Sequence, residues 1–124
     1  MKRLLLVDDH DLFRQVLAVI LQQHTDLKEN LQAGSLAQAH QILDELNLQD
    51  EEVDLAVVDL DLPEGDATRL IEDLRELEVP VLALTSSVSL ERRTSALRAG
   101  AGEVLTTAAC GEKIIGTARR LIKG

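Results

Sequence analysis

Five short apolar runs alternate along the chain with five stretches in which apolar residues recur at helical spacing. We predict strands over residues 4–7, 30–33, 53–58, 80–84 and 103–106, and helices over residues 11–23, 35–46, 66–77, 88–99 and 112–122. Continuous apolar strands that alternate with amphipathic helices indicate a parallel sheet covered on both faces. We therefore expect an α/β fold, a flavodoxin-like doubly wound (βα)5 sandwich with strand order 2-1-3-4-5, in one domain spanning residues 1–124.

Polar residues at the helix boundaries indicate where several helices begin and end. Ser35, with Gln38 three residues later, fits the N-cap of the second helix. Asp11 and Asp66 are expected to cap the first and third helices, and Gly100 is expected to end the fourth. The apolar face of each helix should pack on the sheet. In the first helix that face is predicted to hold Leu12, Val16, Val19 and Ile20.

The charge of the chain, −9 at neutral pH, is unevenly spread. Residues 1–87 hold 6 Lys/Arg and 19 Asp/Glu, which gives −13, whereas residues 88–124 hold 7 and 3, which gives +4. An acidic domain repels phosphate backbones, so we expect no direct binding to nucleic acid. The single cysteine excludes an intramolecular disulfide, and no apolar run approaches the roughly 20 residues of a membrane helix. The expected location is the cytoplasm.

Acidic side chains and a hydroxyl follow three of the predicted strands. Asp8 and Asp9 come after the first strand, Asp59 after the third, and Thr85 after the fourth. Ligands of open α/β sheets bind beyond the carboxyl ends of the strands, where the strand order reverses, so the three carboxylates should meet there. Clustered carboxylates repel one another unless a proton or a cation joins them, and an all-oxygen, solvated site suits Mg²⁺. The cluster predicts a magnesium site at which Asp59 is a nucleophile in phosphoryl transfer and Thr85 hydrogen-bonds the transferred group.

The segments that carry these residues resemble the receiver domains of bacterial two-component response regulators, and the resemblance covers the whole chain. LLLVDDH resembles the first receiver strand with its acidic pair, and VVDLDLPEGD resembles the phosphoacceptor segment. VLALTS resembles the fourth strand with its hydroxyl residue, and LRAGAGEVL resembles the stretch that leads into the end of the last strand. The opening DDHDLFRQVL and the turn LPEGD look most like receivers of LuxR/NarL-type transcription regulators.

This resemblance implies a CheY-like fold and a role for each residue of the cluster. Asp59 would accept a phosphoryl group from a sensor histidine kinase, and Thr85 would hydrogen-bond that group. Asp8, Asp9, Asp59 and the backbone carbonyl of Asp61 would arrange Mg²⁺. The side chain of Asp61 then has no catalytic duty and is expected to face solvent. Such a domain is not an enzyme beyond its own phosphotransfer, and it controls an output such as transcription.

Five positions depart from the family pattern. Thr107 stands at the family's lysine position, and Val104 stands at the aromatic switch position of the last strand. Ala67 replaces a usual glycine, and Cys110 with Gly111 replaces a frequent Ser-Pro at the start of the last helix. We therefore expect an intact Mg²⁺ pocket but an altered coupling between phosphorylation and the surface.

Two other functions remain open at this point. A pseudo-receiver would bind partners without phosphorylation, as Thr107 and Val104 favour. The D-x-D of DLDLP is also similar to the nucleophile segment of haloacid-dehalogenase-type phosphatases, although there it lies on the first strand. In both receiver hypotheses, the net-positive region 88–124 is the expected partner or homodimer face. His10 beside the acids is expected to have no special role.

Overall fold

The computed structural model describes residues 2–87, 89–109 and 111–122, in which strands and helices alternate strictly. In chain order the elements are β1 (Lys2–Val7), α1 (Asp11–His24), β2 (Leu27–Ala33), α2 (Leu36–Leu48), β3 (Leu55–Asp59), α3 (Thr68–Glu76), β4 (Val81–Thr85), α4 (Leu90–Ala99), β5 (Glu103–Thr106) and α5 (Gly111–Leu121). All paired strands are parallel, and the sheet order is β2-β1-β3-β4-β5. The predicted fold class and strand order are confirmed. In these three ranges no helix combines the length and the apolar character that crossing a membrane requires.

The sheet separates two apolar cores because successive side chains of a strand point to opposite faces. Leu4 and Leu6 pack with residues of α1 and α5, whereas Leu5 and Val7 pack with residues of α2, α3 and α4. All residues of β3 and β4 are buried, as expected for central strands of a sheet covered on both faces. Both ends of these strands are therefore held rigidly, including the carboxyl ends where the predicted site lies.

The predicted inner face of α1 was wrong. Leu12, Val16 and Val19 are 76%, 48% and 51% exposed, whereas Leu17 and Leu21 are buried in the core. Helix α1 carries two apolar stripes, and the stripe that packs on the sheet contains the long leucines and the half-buried aromatic ring of Phe13. The second stripe is left on the surface.

The helix ends agree with two of the four boundary predictions. Ser35 accepts a hydrogen bond from the Gln38 backbone N–H at 3.1 Å, and Gly100 ends α4 with φ +125°. The expected cap at Asp66 was wrong, because Ala67 holds the N-cap position of α3, although the Asp66 carboxylate accepts from the Thr68 backbone N–H at 2.9 Å. The expected cap at Asp11 was wrong, because His10 holds the N-cap position of α1. Predictions that fall on Val88 and Cys110 lie outside the described residues.

Candidate functional site

The acidic residues predicted to cluster do meet at the carboxyl ends of β1 and β3. These strands pair in parallel, with Val7 beside Val58, so Asp8 and Asp59 follow at adjacent points. Ligand atoms of Asp8, Asp9, His10 and Asp59 all lie within 4.8 Å of one another. Asp8 and Asp59 are buried, whereas Asp9 is exposed. The cluster is therefore open to solvent on the side of Asp9 and enclosed by protein on the side of the strands.

Backbone hydrogen bonds fix the position of Asp8 at the start of the β1–α1 loop. Its N–H donates to the Ala33 carbonyl at 3.0 Å, and its carbonyl accepts from the Arg14 guanidinium at 2.6 Å. Its carboxylate accepts from the His10 backbone N–H at 2.8 Å. Asp8 is thus tied to β2 and α1 as well as to its own loop, which leaves its carboxylate little freedom to move away from the cluster.

Asp59 is the electrostatically strained member of the cluster. The pKa of its carboxyl is raised from 3.8 to about 6, mainly by burial and further by the nearby charges of Asp8, Asp61 and Asp9. The backbone N–H of Asp61, which donates to Asp59 at 2.8 Å, opposes the rise but does not cancel it. A buried carboxylate with other carboxylates around it binds protons or cations more readily than a free one. The cluster therefore favours a bound cation, and loss of that cation would restore the repulsion between the carboxylates.

His10, for which the sequence predicted no special role, contacts both neighbouring acids. Its Nδ1 is 3.2 Å from a carboxylate oxygen of Asp8 and 3.3 Å from one of Asp9. The hydrogen bond to Asp8 raises the pKa of the imidazole, and the charges of Asp9 and Asp8 contribute further. The direct adjacency of His10 to two aspartates in the sequence was the signal for this contact. The ring itself is exposed, with 74% of the side chain accessible.

The expectation that the Asp61 side chain faces solvent was wrong. Its carboxylate accepts hydrogen bonds from the Thr85 hydroxyl at 3.0 Å, the Ser86 backbone N–H at 2.6 Å and the Ser86 hydroxyl at 2.7 Å. Arg92 of α4 also donates to the same carboxylate and pairs with it electrostatically. Partial burial raises the pKa of Asp61, but the bonds from Ser86, Thr85 and Arg92 outweigh burial and hold the pKa below its usual range. Asp61 is therefore an ionised link between the β3–α3 loop and the β4–α4 loop.

Sequence reasoning missed this link for a geometric reason. Thr85 and Arg92 lie 24 and 31 positions from Asp61 along the chain, so no local pattern relates them. Because β4 lies beside β3, the β3–α3 and β4–α4 loops are neighbours. Whether Asp61 contacts Thr85 and Arg92 then depends on the direction of its side chain. The run Thr85-Ser86-Ser87 after a predicted strand was a visible sign of hydrogen-bond donors at that position.

Two of the positions that depart from the family pattern, Val104 in β5 and Thr107 just after it, lie near Thr85. The Thr107 backbone N–H donates to the Thr85 carbonyl at 2.9 Å, so Thr107 follows β5 directly beside the end of β4. Val104 is buried and its carbonyl accepts from Arg93 at 3.1 Å. A cavity of about 170 Å³ lies between the β4–α4 loop and β5 and is lined partly by Thr85, Arg93 and Val104.

Comparison with known proteins assigns the chain to a family. Residues 4–117 match the response regulator receiver domain. The chain therefore belongs to the receiver-domain family of two-component response regulators, as the sequence resemblance predicted.

The chain is also similar in sequence to a protein of known function. The chain is 35% identical over 103 residues to the DNA-binding transcriptional activator DevR/DosR of Mycobacterium tuberculosis, a match that covers 82% of this chain and 45% of that protein. The chain thus spans less than half the length of this curated relative.

Two solved structures are also similar. One is a response regulator of Burkholderia pseudomallei with a phosphorylated aspartic acid, a calcium ion and citrate, at 26% identity and a TM-score of 0.77, covering 94% of this chain and 65% of that one. The other is the beryllofluoride-activated NtrC4 receiver domain dimer, at 26% identity and a TM-score of 0.84, covering 98% of this chain and 97% of that one.

Proposed function

We propose that the chain accepts a phosphoryl group on Asp59 from a sensor histidine kinase in a Mg²⁺-dependent reaction. The observation that carries the proposal is the position of Asp59. It ends a fully buried strand, its pKa is raised to about 6, and two further carboxylates lie within 4.8 Å of it. The similar Burkholderia protein, whose structure contains a phosphorylated aspartic acid and a divalent cation, supports the same chemistry here.

The reaction is a transfer between a kinase phosphohistidine and the Asp59 carboxylate. A carboxylate oxygen of Asp59 forms the new bond to phosphorus while the nitrogen–phosphorus bond of the donor breaks, so the product is an aspartyl phosphate. Burial holds the Asp59 side chain in one place, which favours in-line attack. We propose that Thr85, whose hydroxyl lies at the same edge of the sheet and donates to Asp61 in the unmodified chain, donates to the transferred group after phosphorylation.

The donor chemistry of the pocket fits Mg²⁺. Asp8, Asp9 and Asp59 supply carboxylate oxygens, and the Asp61 backbone carbonyl is the fourth proposed oxygen donor. When bound, the cation supplies charge that offsets the carboxylates and the phosphate oxygens. The exposed side chain of Asp9 leaves room for the water ligands that Mg²⁺ usually keeps.

The output is proposed from the relatives. The similar DevR/DosR protein is a DNA-binding transcriptional activator, and we propose that this chain controls transcription through a region outside the 124 residues or through a partner. The NtrC4 receiver domain forms a dimer, and we propose a homodimer contact on the face that includes α4 and β5. Direct DNA binding by the chain itself is not proposed, because its charge is −9.

A small phosphodonor tests the acceptor function without the kinase. Acetyl phosphate with Mg²⁺ should add the mass of one phosphoryl group to the wild type, and chelating the metal should abolish the addition. Asp59→Asn should not react, whereas Asp66→Asn, which changes a carboxylate on the same loop, should react like the wild type. Equal labelling of Asp59→Asn would refute the assignment of the acceptor.

One observation favours a second candidate, a pseudo-receiver. Asp61 already links the β3–α3 and β4–α4 loops through Thr85 and Ser86 in the unmodified chain. A partner could then recognise this arrangement without phosphorylation. We do not propose a phosphatase. The D-x-D motif lies on the third strand, and Asp61, held ionised by its hydrogen bonds, is poorly suited to act as a general acid.

A further inference from the structure

The carboxylate of Asp61 accepts four hydrogen bonds. Oδ1 accepts from the Thr85 hydroxyl and from Arg92, and Oδ2 accepts from the Ser86 N–H and hydroxyl. These four donors come from the end of β4, the first residue of the β4–α4 loop and the first turn of α4. Together they form an anion-binding site that the Asp61 carboxylate already occupies.

Asp61 reaches these donors from a position next to the acceptor. Its own N–H donates to the Asp59 carboxylate at 2.8 Å, so the Asp59 side chain and the Asp61 backbone are in direct contact. Asp59 is the register partner of Leu84, and Thr85 is the next residue of β4. A phosphoryl group on Asp59 would bring three charged oxygens to this edge of the sheet and would need donors there. Thr85 and Ser86 offer hydroxyl and backbone donors at this edge, and Asp61 already uses them.

We propose that Asp61 is a positioning residue whose carboxylate competes with a phosphoryl group on Asp59 for Thr85 and Ser86. The inference rests on the proposed function, because it concerns how strongly the site holds that group. In the unphosphorylated chain, Asp61 fixes the β4–α4 loop and ties it to α4 through Arg92. On phosphorylation, the incoming oxygens gain Thr85 and Ser86 only by displacing the Asp61 carboxylate. Phosphorylation therefore adds fewer hydrogen bonds than Thr85 and Ser86 would provide if they had no partner beforehand.

The resting contact can be tested without any phosphate analogue. Hydrogen exchange of the Ser86 amide, read by NMR, should be slow in the wild type and clearly faster in Asp61→Ala. Asp66→Ala is the matched control, because Asp66 is an exposed carboxylate on the same loop as Asp61 and accepts hydrogen bonds from Thr68. Unchanged Ser86 exchange in Asp61→Ala would overturn the resting contact.

Competition is tested with beryllofluoride and Mg²⁺ as the phosphoryl analogue. Asp61→Ala should bind the analogue about three- to tenfold more tightly than the wild type, the range expected when one hydrogen bond no longer has to be exchanged. Simple removal of negative charge would also tighten binding, and Asp66→Ala measures that effect. Asp61→Asn gives a second variant of the same size, with one neutral acceptor in place of the carboxylate.

A double-mutant cycle separates competition for the hydroxyl from general electrostatics. If Asp61 acts through Thr85, replacing Asp61 by Ala should improve binding less in a Thr85→Val background than in the wild type. Equal improvement in both backgrounds, or equal binding by wild type and Asp61→Ala, would overturn the competition and leave the acceptor function intact. Failure of every variant to bind the analogue would instead remove the acceptor function, and the competition with it.

Discussion

The Thr85 hydroxyl donates to Asp61 Oδ1 over 3.0 Å and so connects the β3–α3 loop to the end of β4. The contact matters because Thr85 is the hydroxyl proposed to bond the phosphoryl group, and Asp61 lies two residues after the proposed acceptor. The same carboxylate also holds Ser86 and Arg92. The two loops that border the site are therefore already joined in the unmodified chain, and phosphorylation acts on a hydrogen-bonded arrangement rather than on free donors.

The raised pKa of Asp59 predicts a stabilising substitution. Its carboxyl titrates near 3.8 when unfolded and at about 6 in the folded chain, so folding favours the protonated form and costs free energy once the pH exceeds both values. Without divalent cations at about pH 7.5, Asp59→Asn should raise the free energy of unfolding by roughly 1–3 kcal/mol. Urea unfolding measures this change.

The pH dependence of that gain provides the control. The advantage of Asp59→Asn should shrink as the pH falls through 6 towards 4, because the wild-type carboxyl then becomes protonated in the folded state. Asp66→Asn should have the opposite sign, since hydrogen bonds from Thr68 lower the pKa of Asp66 and stabilise its ionised form. A gain for Asp59→Asn that does not change with pH would mean that another cause, such as packing, produces it.

The acidic cluster predicts weak binding of Mg²⁺. Titration with Mg²⁺ should shift the amide signals of Asp9, His10 and Asp59, because these residues surround the proposed cation position. Asp59→Asn should reduce the shifts strongly by removing one carboxylate ligand. Glu64→Gln, a charge change elsewhere on the β3–α3 loop, should leave them unchanged. Shifts spread evenly over the acidic surface would indicate nonspecific counterion binding.

Much of the site was predictable from the sequence, and what escaped has identifiable causes. Asp8, Asp9 and Asp59 directly follow apolar strands, so strand order alone brings them together. The direction of the Asp61 side chain depends on donors that lie 24 or more positions away, which no local pattern encodes. The wrong face of α1 has a similar origin, because two apolar stripes share that helix and packing chooses between them.

The substitution Thr107→Lys tests the altered switch. Thr107 lies beside Thr85 but carries no charge, so it cannot pair with a phosphoryl group as the family lysine does. Hydrogen bonds to charged groups contribute about 1.5–3 kcal/mol, so adding a lysine should strengthen the response to beryllofluoride. Amide shifts in residues 89–107 should be larger in the variant than in the wild type. Thr106→Lys, on the preceding exposed position, is the control, and an equally full response by the wild type would show that the missing lysine is irrelevant.

The proposed dimer face is tested by a charge placed on α4. Leu97 is 42% exposed on this helix, and Leu97→Asp should weaken self-association because it inserts a charge into an apolar contact. Sedimentation over a range of concentrations measures the change, in the presence and absence of beryllofluoride. Leu48→Asp, at an even more exposed leucine on α2, should have no effect. If the wild type stays monomeric under all these conditions, the homodimer proposal fails.

The central claim is that Asp59, rather than a neighbouring carboxylate, receives the phosphoryl group. After reaction with acetyl phosphate and Mg²⁺, reduction with borohydride converts an aspartyl phosphate into homoserine, which peptide mass spectrometry locates by residue. We predict homoserine at position 59 alone, with Asp8, Asp9 and Asp61 unmodified. Homoserine at Asp61 or Asp8, or its absence throughout the chain when a known receiver reacts in parallel, would contradict the account.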